Sequence, residues 1–141
     1  MILYEWDASH AILRTVLVGP VGYEDIRQHL DKMSRAQMFR RAELIDARGA
    51  TGPGPSVTEL WQLADHARRL MAGIKPGPRA IVVEHWLHYW TARVFSNFLT
   101  GPLAIEVFQS EPAARRWLLA HSPANSSPDS DGPGGSVEPV F

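Results

Sequence analysis

Cysteine is absent from the 141 residues, which excludes disulfide cross-links, thiolate catalysis and zinc sites built on cysteine. A dominant charge sign is missing too. Fourteen Lys and Arg against fifteen Asp and Glu leave a formal net charge of −1, so no bulk field draws the chain to nucleic acid or to an anionic membrane. Nucleic acid is therefore not an expected partner. No apolar run approaches the roughly 20 residues that span a bilayer. The opening residues, Met1-Ile-Leu-Tyr-Glu-Trp-Asp7, place carboxylates where a secretory signal needs basic and then apolar residues. A soluble, cytoplasmic protein is the expectation.

What is present suffices for one packed core, with roughly two-thirds of the unfolded chain's surface buried. Residues 1–121 carry regular apolar patterning, whereas 122–141 are Pro/Ser/Gly-rich, polar and without period. The first stretch reads as one α/β domain and the second as a disordered tail, in which Val137, Val140 and Phe141 are too few to build structure.

Ile2–Trp6 is short and weakly alternating, as an edge strand is. Ala11–Val18 is more apolar and β-branched, and the four residues between suit a hairpin loop. After Gly19-Pro20-Val21-Gly22, a helix is expected from Tyr23, with Glu24 and Asp25 in its first turn and Ile26, Leu30 and Met33 as its apolar stripe. A short strand follows at Glu43–Ala47, and then a Gly/Pro loop. Ser56-Val-Thr-Glu59 is a capping box opening a second helix, with Val57, Leu60, Trp61, Ala64 and Met71 on its inner face. Arg79–Val83 is a strand leading into a third helix, on which Leu87, Trp90, Val94 and Phe98 form one stripe and Trp86, Tyr89, Arg93 and Asn97 a second. Gly101-Pro102 stops that helix. Leu103–Phe108 is the last strand, and Ser110 caps a fourth helix that carries Ala114, Trp117, Leu118 and His121 on one face. The order β-β-α-β-α-β-α-β-α implies a mixed, mostly parallel five-stranded sheet with an antiparallel edge strand and four flanking helices.

Several strings together resemble the SpoIIAA-like proteins, relatives of the STAS domain (sulfate transporters and anti-sigma factor antagonists). They are the apolar strand ending at Gly19 before an acidic helix start, Leu44-Ile-Asp-Ala-Arg48, the helix opening at Ser56, Arg79-Ala-Ile-Val-Val83, the aromatic and arginine residues through Phe95, and Val107-Phe-Gln-Ser-Glu-Pro-Ala-Ala-Arg-Arg-Trp-Leu118. The resemblance implies a mixed sheet flanked by helices and a non-enzymatic regulatory or binding role toward protein partners, sometimes nucleotides, often switched by phosphorylation. Asp46 matches the family's strand-end aspartate. Ala47 and Arg48 depart from the Asp-Ser-Ser-Gly acceptor string.

The candidate site residues fall into three groups. Asp46 and Arg48, with Ser56 and Arg93, are candidates for an anion or ligand seat at a strand-loop-helix junction, where open α/β sheets place ligands. Ser56 is both a helix cap and the phosphorylation candidate. Trp86, Tyr89 and Trp90 are candidates for an apolar pocket or an interface, including a homodimer, because two apolar stripes exceed what one sheet face covers. Glu84, His85 and His88 have partial metal-site and acid–base character but lack a further ligand and a nucleophile, so no catalytic residue, metal or cofactor is assigned. The loop after Arg48 fits no Walker or dinucleotide fingerprint. The expected function is a non-enzymatic binding module for a protein or small ligand. The alternatives are a carrier of a small amphipathic or lipid-like ligand, and an enzyme using His85 or His88.

Overall fold

In the computed structural model the described residues are 1–99, 101 and 103–122. The stretch expected to be a disordered tail lies outside them from residue 123 onward, as does Pro102 of the expected helix stop.

Among the described residues, β1 (Ile2–Asp7) and β2 (Ile12–Pro20) form the hairpin, followed by α1 (Tyr23–Arg35), β3 (Ala42–Thr51), α2 (Val57–Leu70), β4 (Arg79–Val82), α3 (Trp86–Leu99), β5 (Ile105–Phe108) and α4 (Glu111–His121). The strands lie in chain order, β1-β2-β3-β4-β5. β1 pairs antiparallel with β2, and every other pair is parallel. This is the mixed sheet with an antiparallel edge that the element order implies.

Strand alternation divides the side chains between two layers. One face carries Leu13, Glu43, Ile45, Ala47, Arg79, Ile81 and Val107 and is covered by α1, α2 and α3. The other carries Ile12, Ala42, Leu44, Ala80 and Val82 and is covered by α4 through Ala114 and Leu118. Burying a side chain such as Leu118 contributes about 1.5–3 kcal/mol, and Trp117 and Leu119 of α4 add partly buried contacts to the same cluster.

Three expectations are corrected. First, the residues read as the start of a Gly/Pro loop, Gly49–Thr51, belong to β3. Val18, Gly19 and Pro20 pair with them, so β2 supplies a partner beyond the predicted strand end. Between Val16↔Asp46 and Val18↔Gly49, two residues of β3 oppose one of β2, a β-bulge that turns Ala50 back to the face already holding Ile45 and Ala47. Second, Val57 and Trp61 are exposed. The inner line of α2 is Leu60, Leu63, Ala64 and Ala67, about a quarter turn from where the bulkier residues suggest it. Third, Leu87 and Trp90 are exposed, and α3 buries Ala92, Ser96 and Leu99 instead. Small side chains on that line let the helix lie close to the sheet, so shape overrides bulk in choosing the face.

Candidate functional site

The helix-covered face of the sheet is incompletely filled. A cavity of ≈ 160 Å³ runs along β3 from Glu43 to Thr51, under α1, α2 and α3. Its walls are almost wholly apolar, with Ile45, Ala47, Ile81 and Val83 on the sheet side and Ala92 and Phe95 on α3. The polar lining falls at its two ends. Lining residues at the Glu43 end are buried, whereas Thr51, Gly54, Pro55, His88 and Thr91 at the other are exposed or half-buried. The mouth therefore lies at the C-terminal ends of the parallel strands, the usual position for ligands in open α/β sheets.

The inner end is a buried polar cluster. Glu43 is the second residue of β3, and its carboxylate receives the Thr15 hydroxyl at 2.6 Å, faces His29 Nε2 at 2.9 Å and pairs with Arg79 Nε at 3.4 Å. His29 Nδ1 lies 2.8 Å from the Tyr4 hydroxyl, and the two rings stack. Arg79 Nη1 donates to the carbonyls of Arg41 and Gly77, and Nη2 to that of Met38. Burial pushes the Glu43 carboxyl up, but His29, Arg79 and Thr15 outweigh it and bring its pKa down to about 2. Burial, reinforced by Glu43, pushes the Tyr4 hydroxyl up to about 12. Glu43 is thus an anion and Tyr4 a neutral phenol across the physiological range.

Asp46 and Arg48 lie on a different part of the molecule. Asp46 projects from the α4 side of the sheet, where Arg48 Nε donates to it at 2.8 Å and Arg14 Nη2 at 2.6 Å. Glu111, in the first turn of α4, accepts from Arg14 at 3.1 Å and from Arg48 at 2.7 Å. The Arg48 hydrogen bonds hold the Asp46 carboxyl below its ordinary value, and the Arg14 bond does the same for Glu111. Partly exposed pairs of this kind contribute about 0–1 kcal/mol each. Their main effect is to fix where α4 begins on the sheet.

The other candidates are equally engaged. Ser56 Oγ accepts the Glu59 N–H at 3.2 Å while Glu59 accepts the Ser56 N–H at 2.9 Å, completing the expected capping box. Arg93 pairs with Glu106 at 3.0 Å. Asp46 and Arg48 thus share one ion-pair network with Arg14 and Glu111, while Ser56 is engaged with Glu59 and Arg93 with Glu106. Tyr89 is half-buried against the sheet, while Trp86 and Trp90 are exposed. His88 Nε2 donates to the Gly52 carbonyl at 2.9 Å, tying α3 to the loop at the mouth, and His85 sits edge-on to it with ring centroids 6.1 Å apart. Among the described residues, no cluster of three or more His, Asp or Glu side chains is placed to hold a metal. No described helix is long and apolar enough to cross a membrane.

No sequence motif marks the residues that define the cavity. Two signals for its inner end exist in the sequence. Glu43 and Arg79 are charged residues at the N-terminal ends of the apolar runs Leu44-Ile45 and Ala80–Val83, and His29 lies three residues after Ile26, on the stripe that α1 buries.

No protein-family model matches the chain, and no curated protein is similar to it. Among solved structures, an uncharacterised protein of the DUF3478 family with a SpoIIAA-like fold, from Shewanella loihica PV-4, is similar at a TM-score of 0.56 and 24% identity, over 84% of this chain and 92% of that one. The chain has the SpoIIAA-like fold.

Proposed function

We propose that this SpoIIAA-like chain is a non-enzymatic binding module that takes up the apolar part of a small amphipathic ligand between its sheet and α1–α3. The observation that carries the reading is the cavity itself, an apolar space with an open end at the strand C-termini. Its ≈ 160 Å³ compares with the roughly 150 Å³ engineered cavity that binds benzene. The enclosed part of the ligand is therefore on the order of six to eight carbons, and a long acyl chain would not be housed whole.

Leucine at position 92 tests this, because Ala92 is buried on α3 and lines the space. Ala92→Leu fills the cavity from within. Octanoate or 1-octanol, titrated calorimetrically, is expected to bind the natural chain and to bind the variant about tenfold or more weakly, with the variant's own melting temperature essentially retained. Equal binding by both proteins would remove the cavity as the site.

A second reading rests on a separate observation. Trp86 and Trp90 are 76% and 65% exposed, with Leu87 between them at 43%, an apolar patch of the kind that anchors interfaces. A homodimer through this end of α3 would cover it. Light scattering should then show a dimer for the natural chain and a monomer for Trp86→Ala/Trp90→Ala. A natural chain that stays monomeric at high micromolar concentration rejects the dimer.

A further inference from the structure

The two ends of the cavity differ in chemistry, and that difference sets which ligands can enter. At the inner end, a buried carboxylate (Glu43) is already paired with a buried guanidinium (Arg79). Each has several partners within the protein. Glu43 Oε2 is shared by Thr15 and His29, and its Oε1 faces Arg79 Nε. Arg79 gives its Nη1 to two backbone carbonyls at 2.6 and 2.8 Å and Nη2 to a third at 3.1 Å. His29 bridges this pair to Tyr4, with Nε2 2.9 Å from Glu43 and Nδ1 2.8 Å from the Tyr4 hydroxyl. Glu43 and Arg79 are 2% and 4% exposed, so water does not screen them from an arriving group.

A carboxylate delivered to this end would face Glu43 in a dry site. The Arg79 fork is held by the backbone and cannot turn to receive it. A terminal methyl or other uncharged end meets apolar walls and polar groups that already have partners in the protein. The mouth is the opposite case. Thr51 is exposed and His88 and Thr91 are half-buried, so a charged or hydroxyl head there keeps its hydration.

We infer that the site selects amphiphiles with one polar end, admitted apolar end first, and that the Glu43–Arg79–His29 floor rejects any ligand carrying charge at both ends. This rests on the binding reading above and assigns the floor as the specificity-determining element of that site.

Isothermal titration of the full chain with 1-octanol, octanoate and octanedioate tests it, since the last two differ only in a second carboxylate at the far end. The first two should bind, and octanedioate about a hundredfold or more weakly. Glu43→Gln keeps the shape of the floor but leaves the Arg79 charge unopposed there. It should raise octanedioate affinity relative to octanoate, a reversal that a simple difference in hydrophobicity between the ligands would not give. Comparable binding of octanoate and octanedioate to the natural chain overturns the selectivity proposal and leaves the cavity reading standing. An unchanged octanedioate-to-octanoate ratio in a folded Glu43→Gln variant also overturns it. Failure of both 1-octanol and octanoate to bind overturns the cavity reading and this proposal with it.

Discussion

Arg79→Met should lower the unfolding free energy by about 3–5 kcal/mol, the cost of removing one partner of a buried ion pair. Glu43, 2% exposed, would lose its guanidinium, and the carbonyls of Met38, Arg41 and Gly77 would lose their donor. Those carbonyls lie in the segment before β3 and the turn before β4, so the loss would also loosen the junction where the two central strands begin. Urea unfolding at neutral pH measures the effect, and a change under about 1 kcal/mol would show that Arg79 is dispensable. The double replacement Glu43→Leu/Arg79→Met should be more stable than Arg79→Met alone, because apolar side chains in place of both ions remove the unpaired charge.

The pH dependence follows from the depressed Glu43 carboxyl. A group whose folded pKa lies near 2, below its ordinary 4.5, adds stability that is complete above the unfolded value and is lost as pH falls through the folded one. In the natural chain this contribution should persist at pH 5 and decline between about pH 4 and 2. In Arg79→Met the carboxylate has lost a favourable charge and its pKa rises. The stability gap between the two proteins should therefore narrow as pH falls from 6 to 3. A gap that stays constant over that range would mean that the Arg79 effect is not electrostatic.

Gly77→Ala should be the next most damaging change, at about 1–3 kcal/mol or more, as overpacking against rigid neighbours usually is. A Cβ at this position would stand 2.5 Å from the Arg41 carbonyl oxygen, 2.6 Å from its carbon and 2.8 Å from the Arg40 oxygen. All three are backbone atoms and cannot rotate away. The same glycine donates its N–H to the Phe39 carbonyl at 2.8 Å and offers its own carbonyl to Arg79. The strain would thus pass directly to the floor of the cavity. Urea unfolding of Gly77→Ala with natural stability would mean that the two segments separate at little cost.

Pro76-Gly77-Pro78 illustrates what local pattern conveys. Its composition marks a turn after α2, correctly, but not the backbone approach that makes the central residue glycine. The capping signals behaved differently. Ser56 with Glu59, and Ser110 with Pro112, opened helices where they were read, because a cap is a contact between residues three apart and needs nothing from the rest of the chain. Face selection on α2 and α3 was less legible. Trp61 and Trp90 are bulky and apolar, yet the sheet accepts Leu63, Ala67, Ala92 and Ser96 in their place, beside the expected Leu60, Ala64 and Met71, since what fits against a twisted sheet depends on the separation of layers.

By itself the sequence determined the element order, the hairpin edge, the parallel remainder of the sheet and the helix starts, because these rest on short-range periodicity and on connection lengths. Only the tertiary structure decided what the stretch after Leu44 does. Asp46 and Arg48 turn to the α4 side and are consumed by Arg14 and Glu111, partners 32 and 63 residues away from them respectively. Glu43, one residue before Leu44, points to the opposite face and meets Thr15, His29 and Arg79. The alternation of a strand separates neighbours in sequence onto opposite faces, and long-range packing supplies the partners there. A cavity is a property of what several distant segments leave unfilled, so no local pattern records it.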